Sequence, residues 1–352
     1  MHYNLSVITE ECAKLSSRVN FEKFRNKTIL ITGANGLIGG FLADFFCYLN
    51  DNYDLEANIH LTSYSNLTNV VRIRHLLHRS DLEYFSWDCS NPVSPFVLPN
   101  KIDYCFFCSG YGQPSKFLKN NIKTSLINVV GVESLLGWMI ARGGGNFLFL
   151  STSEIYGNPP DDMIPTPESY GGLYDLENNR AAYKVSKCLG EVICKEYNRA
   201  DSMNVKIARV ALTYGPGTLI NDNRVLQEFI FKAAKGKINM LDGGESLRNY
   251  LYLTDSIELL INILSGTELV YNVGGDTEEV SILTLASMIS KNFEATVIPG
   301  KSKLDSIKTA PRGVSLDMSK VRKEFWTFGS NLTDLETGIK QIIRWYNLEG
   351  NK

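Results

Sequence analysis

Short unbroken apolar runs alternate along the chain with longer stretches in which apolar residues return every three or four positions. The runs TILIT from Thr28, ANIHLTSY from Ala57, IDYCFFCS from Ile102, NFLFLST from Asn146 and NVKIARVA from Asn204 read as strands. Apolar runs without polar alternation belong to strands covered on both faces. Between them, helical spacing marks LIGGFLADFFCYL from Leu37, a segment holding Arg72 to His78, the stretch from Lys123 to Ala141 and the stretch from Arg180 to Asn198. Strand and helix in alternation predict a parallel α/β sheet.

Two regions depart from this rhythm. Residues 1–26 read as a helical extension, with Val7, Ile8, Cys12, Leu15 and Val19 near helical spacing. Beyond Gly215 the pattern is irregular, with helices expected at VLQEFIFKAAKG and near 254–265, 281–292 and 331–346. The expected fold is a Rossmann-type doubly wound parallel sheet over residues 27–212, to which part of 250–275 returns. A smaller mixed cap over 213–352 covers the carboxyl ends of the strands, where ligands of open α/β sheets bind.

With 44% hydrophobic and 21% charged residues, the 352-residue chain can bury a sizeable core. A net charge of -2 supplies no basic footprint for a nucleic acid. No apolar run reaches the roughly 18 residues of a membrane span, and the opening MHYNLSVITEECAKL lacks a secretory pattern, so a cytoplasmic location is expected. The seven cysteines have no framework spacing, and Cys105 and Cys108 point to opposite faces of one strand, as buried thiols and not a redox or zinc pair. All four histidines (His2, His60, His75, His78) fall in the first quarter, which argues against a Ser-His-Asp or histidine-metal site. No metal is expected, and acid-base work falls to Tyr, Lys, Glu or Asp.

The segment ILITGANGLIGG places Gly33, Gly36 and Gly39 directly after a strand and at the opening of a helix. There the first glycine permits a tight turn, the second a close approach of pyrophosphate, and the third close packing of helix on strand. Asn35, Leu37 and Ile38 of this turn are assigned to the same dinucleotide site, with Cys108 and Ser109 at the end of a later strand. The second strand ends Thr62, Ser63, Tyr64, Ser65 without the acidic residue that holds ribose hydroxyls. Ser65 therefore tolerates a 2′-hydroxyl or a 2′-phosphate, with Arg72 or Arg74 as a phosphate partner or simply a solvated helix face. NAD is the expected cofactor and NADP stays open. Asp88 is placed to bond the adenine amino group, or to form a turn.

Tyr183 and Lys187 in AAYKVSK share a helical face, and Thr152 ends the strand FLFLST. Holding a phenolate about three pH units below its ordinary value takes roughly 4 kcal/mol, which a cation about 4 Å away supplies at an effective dielectric near 20. The expectation is that the Lys187 ammonium lies beside the Tyr183 phenol, which takes a proton from a sugar hydroxyl while hydride leaves the same carbon.

With TGANGLIGG, STSEIYGNP at 151–159, RAAYKVSK at 180–187, ARVALTYGPG at 208–217 and SLRNYLYLTD at 246–255, the chain resembles the extended short-chain dehydrogenases that act on nucleotide sugars. The run PSKFLKNNIKTSLINVVGVESLL and the Thr-Ser-Glu triplet look most like UDP-glucuronate decarboxylases, although the triplet also resembles that of GDP-mannose 4,6-dehydratases. The resemblance implies an active site of Thr152, Glu154, Tyr183 and Lys187, with Asn128 lining it. Arg248 then contacts the nucleotide sugar, and Ser153 and Arg224 are assigned to the substrate as well. It also implies a homodimer through helices near 123–141 and 180–198. The chain departs from the decarboxylases at Lys184 and Val185, where they carry an acidic pair, and at Leu212, where the family has asparagine.

After oxidation at C4, three outcomes diverge. A C5 carboxylate leaves as carbon dioxide, a C6 hydroxyl leaves as water, or the keto-sugar turns over and is reduced on its other face. Glu154 tilts the reading away from plain epimerisation, and Ser153, where many 4,6-dehydratases carry aspartate, tilts it toward decarboxylation. The alternative of another class is a catalytically silent dinucleotide-binding regulator, against which the intact Thr152, Tyr183 and Lys187 argue.

Overall fold

Residues 3–93, 98–172, 174–199, 203–275, 279–301, 315–325 and 332–348 are described by the computed structural model. Strands β1 (Thr28–Thr32), β2 (Asn58–Ser63), β3 (Leu82–Ser86), β4 (Tyr104–Phe107), β5 (Gly145–Thr152) and β6 (Met203–Val210) join a further strand, Val270–Val273, in one seven-stranded sheet. Every pairing in it is parallel. The order runs Val270–Val273, β6, β5, β4, β1, β2, β3, so the winding reverses between β1 and β4 and opens a crevice at their carboxyl ends.

The apolar runs explain why both faces are covered. Ile29, Ile31, Phe106 and Leu148 point into one core with Phe41, Phe45 and Phe46 of the helix α2 (Leu37–Tyr53). Their neighbours Leu30, Phe107, Phe147 and Phe149 point into a second core. There they meet Leu135 and Leu136 of a long helical stretch and Cys194 of α6 (Ala181–Arg199). A period of two in side-chain direction, filled at every position, gives two cores.

That long stretch, expected as one helix, is α4 (Asn121–Leu126), a π turn at Ile127–Gly131 and α5 (Val132–Ile140), preceded by the single-turn α3 (Pro114–Phe117). The helix expected over Arg72–His78 is absent. In its place stand two short 3-10 turns, Leu67–Asn69 and Arg74–Leu76. Asn35 Oδ1 accepts from the backbone N–H groups of Val71 and Arg72 (3.1 and 2.9 Å), which ties this segment to the glycine turn. The buried residues Val70, Ile73 and Leu76 then recur every three positions, the spacing of a 3-10 ribbon.

The helix α1 (Leu5–Ser16), capped by Asn4, packs against α2 and the C-terminal helix Leu335–Trp345. Tyr3 stacks on Trp345 with ring centroids 4.6 Å apart, and Asn4 N donates to Trp345 O at 2.9 Å. Over the carboxyl ends of the sheet lie α7 (Val225–Ala233), α9 (Ile282–Lys291) and three short strand pairs. Between them α8 (Leu253–Ile263) leads the chain back to the strand Val270–Val273. Among the described residues no helix is long and apolar enough to cross a membrane, and no cluster of three metal-ligating side chains occurs.

Candidate active site

The turn after β1 is shaped by contacts that tolerate no side chain. Gly33 has φ +67°, and a Cβ there would stand 2.7 Å from the carbonyl oxygen of Cys108. A Cβ at Gly39 would stand 2.7 Å from Gly33 O. Gly36 takes the N-cap position of α2 without a capping side chain, and the first helical bond is Gly40 N to Gly36 O. The first-turn amides of Leu37, Ile38 and Gly39 therefore face the crevice at a positive helix end, an arrangement that suits a dinucleotide pyrophosphate. Asn35 braces the turn, donating to Ser65 Oγ at 3.1 Å. Ser109 N donates to Thr32 Oγ1 at 3.1 Å, which locks β4 against β1 beside it.

The ribose end differs from expectation at Arg72. Its side chain is fully buried, bonded to Asp44 at 2.5 Å, and closed in by Gly40, Gly217 and the Trp345 ring. It is neither a phosphate partner nor a solvated helix face. Arg74 donates to the Val70 and Thr68 carbonyls. Asp88 accepts from Ser90 N and Oγ through Oδ1, while Oδ2 pairs with Lys123 at 2.8 Å. Lys123 also lies 3.6 Å above the Tyr64 ring.

From this crevice a cavity of about 670 Å³ runs beneath the cap, lined among others by Ile38, Cys108, Ser109, Thr152, Ser153, Glu154, Tyr183, Lys187, Arg224 and Arg248. Two helix turns and a strand end bring the reactive groups together. Tyr183 and Lys187 project from the first turns of α6, and Thr152 from the end of β5. Thr152 stands beside the Tyr183 phenol, near enough to favour its ionised form, and its Oγ1 accepts from Glu154 N at 3.2 Å. Phe117 stacks on Tyr183 at 4.5 Å with an interplanar angle of 3°.

The electrostatics correct one expectation. Lys187 Nζ donates to the carbonyl of Leu150 at 2.6 Å, and the charges that act on Tyr183 are those of Glu154 and Arg180. A shared helical face sets where a side chain starts. A four-carbon stem then takes a buried ammonium to the nearest acceptor, here the end of β5. Burial, joined by Glu154, pushes the Tyr183 phenol well above its usual range against the pull of Thr152 and Arg180. Burial also lowers Lys187 to about 8.

Asn128 is another correction. It sits in the π turn, 1% exposed, and donates to Ser186 Oγ at 3.0 Å. That bond holds it one layer beneath the cavity wall. Arg224 is on the wall, with its guanidinium bonded to Asp222 and to the Thr213 carbonyl. Arg248 is half-buried, and Nη1 donates to Leu247 O at 2.6 Å.

Two wall residues escaped the sequence reading. Arg180 forks onto Glu154, Nη2 to Oε1 at 2.5 Å and Nε to Oε2 at 3.1 Å. Tyr250 buries its hydroxyl with no hydrogen-bond partner among the described residues, close enough to Arg248 and Arg224 to feel both charges. The place of Arg180, three positions before Tyr183 at the start of α6, was the signal available for it.

A model of the NAD dependent epimerase/dehydratase family matches residues 29–274. UDP-glucuronic acid decarboxylase 1 of Danio rerio is 26% identical over 326 residues, 92% of this chain and 73% of that protein. UDP-glucuronic acid decarboxylase 3 of Arabidopsis thaliana is 27% identical over 303 residues, 85% of this chain and 83% of that protein. In fold, the chain is similar to UDP-glucuronic acid 4-epimerase of Bacillus cereus, solved with UDP-glucuronic acid and NAD. The TM-score is 0.74 at 22% identity, over 91% of this chain and 99% of that one.

Proposed function

The chain belongs to the NAD-dependent epimerase/dehydratase family, whose cofactor is NAD, and we propose that within it the protein decarboxylates a nucleotide uronate resembling UDP-glucuronate. The observation that carries this reading is Glu154, a carboxylate close enough to raise the Tyr183 phenol's pKa, on the wall that Thr152 and Arg248 also line. The similarity to UDP-glucuronic acid decarboxylases over most of the chain supports it.

When bound, NAD supplies the oxidation of the sugar at C4 and its reversal. The chain's own groups do the rest. Thr152 and Tyr183 bracket the C4 oxygen, and Tyr183, as phenolate, takes the C4 hydroxyl proton while C4 is oxidised and returns it when C4 is reduced. Once C4 is a ketone, the bond from C5 to the carboxylate breaks, carbon dioxide departs, and the electron pair passes to the C4 oxygen. There the two hydroxyl donors stabilise the enolate. Glu154 orients the sugar or a water, and C5 takes up a proton from water before C4 is reduced again. Arg248 contacts the substrate's anionic groups. Gly33, Gly36, Gly39, Ser65, Asp88, Cys108 and Ser109 hold the dinucleotide. Lys187, beside β5, stands where a nicotinamide ribose is bonded.

We propose in addition a homodimer. Val185, Leu189 and Val192 form one apolar stripe on α6, and Ile122 and Leu126 continue it on α4, all five exposed. No other element among the described residues covers this stripe.

The reading is tested by incubating the NAD-loaded protein with a panel of nucleotide sugars and weighing the products. Loss of carbon dioxide from a nucleotide uronate is the expected result, abolished in Tyr183→Phe, which deletes one oxygen. Unchanged mass with inverted C4 would assign an epimerase, loss of water a dehydratase, and no turnover on any member a silent binding protein.

A further inference from the structure

Glu154 and Arg180 lie 26 positions apart, one in the turn after β5 and the other immediately before α6, and the fold presses them together on the cavity wall. Arg180 is 5% exposed, and its guanidinium stands 5.0 Å over the ring of Phe117, the ring that stacks on Tyr183. The side chain is therefore fixed from two sides, by the Glu154 carboxylate and by an aromatic face. Its two bonds to Glu154 employ Nε and Nη2. A guanidinium has five N–H donors in a rigid fork, so the Nη1 edge remains, and no residue among those described accepts from it. Arg248 stands near enough that the two guanidinium charges oppose one another. Arg180 and Arg248 thus share the field of Glu154, with Lys184 also within reach of Glu154 and Glu279 within reach of Arg248.

We propose that Arg180 is a specificity-determining residue, which holds Glu154 with one edge of its guanidinium and receives a carboxylate on C5 of the sugar with the other. The inference rests on the reading of the cavity as a nucleotide-uronate site. A C5 hydroxymethyl offers a neutral acceptor to the same edge, and a charge-assisted bond is roughly twice as strong as a neutral one. Glu154 and the substrate carboxylate would repel if left alone at this distance. Arg180 between them turns that repulsion into two ion pairs on one fork.

The test compares the affinities of UDP-glucuronate and UDP-glucose by calorimetry, on protein loaded with reduced dinucleotide so that turnover cannot begin. Wild type is expected to prefer the uronate. Arg180→Gln should weaken uronate binding by about tenfold or more, the scale of one lost charged hydrogen bond, and leave UDP-glucose within about twofold. Arg180→Lys, with the charge kept and the fork removed, should fall between them, and it decides the matter if the glutamine variant does not fold. Glu154→Gln should bind the uronate at least as well as wild type. Equal losses for both ligands would reduce Arg180 to a support for Glu154 and overturn the proposal, as would an unchanged preference in the variants or no preference in wild type. Product masses fail separately: an enzyme that epimerises a uronate returns unchanged mass yet still shows the preference that depends on Arg180.

Discussion

Lys187 lies in an apolar pocket between the Phe149 ring, 4.7 Å from its nitrogen, and the end of β5. Burial lowers its pKa from 10.5 to about 8. Between those values the unfolded chain holds a proton that the native site has released, so this residue's contribution to stability rises with pH across that window and is a constant penalty below it. Lys187→Met, unfolded in denaturant without dinucleotide, should gain on wild type most near pH 7. The gap should shrink by at most about 3 kcal/mol on going to pH 10. A gap that does not change with pH would mean the ammonium is not penalised. At this scale the sequence is most readable where chemistry depends on spacing along the chain. Gly33, Gly36 and Gly39 declare a turn, and Tyr183 and Lys187 declare a shared face. It is least readable where the partner comes from elsewhere, as with the Leu150 carbonyl that takes Lys187 or the Phe117 ring that covers Tyr183.

Among the elements, α1 has the clearest energetic role. Just past its end, Arg18 bonds the fully buried Asp255 at 2.8 Å and also pairs with Glu258, both on α8. Burial raises Glu258 to about 7 even with Arg18 beside it. Removing the arginine leaves two buried carboxylates short of a cation, a change that costs about 3 kcal/mol. Arg18→Ala is therefore expected to lower the unfolding free energy from urea titration by that amount at neutral pH. Adding Glu258→Gln should recover part of it. No recovery would show that the packing of α1, not charge, carries the loss. The helical spacing of Val7, Ile8, Cys12 and Leu15 made α1 legible, whereas the segment after β2, which folds as 3-10 turns, is anchored by Asn35, 36 and 37 positions away. A long-range acceptor of that kind leaves no mark on local periodicity.

For the molecule as a whole, the α/β alternation disclosed the parallel sheet and its crevice, since each apolar run demanded cover on both sides. The irregular cap was legible only as helices, because its paired strands are two or three residues long and show no period. The proposed dimer belongs to this scale. Leu189 and Val192 are each nearly half exposed, at 45% and 47%, in the middle of the α6 stripe. Leu189→Glu with Val192→Glu should convert a species of twice the chain mass into one of single mass in sedimentation, with the thermal midpoint of the monomer otherwise retained. A wild type that sediments at single mass would remove the dimer. The clasp of Tyr3 and Asn4 on Trp345 has a different reach. Glu10 and Arg344, 334 positions apart, are ion-paired beside it. Releasing either helix uncovers part of the surface that the other covers. Their opening is therefore expected to be coupled, as parts of one foldon drawn from positions 334 residues apart.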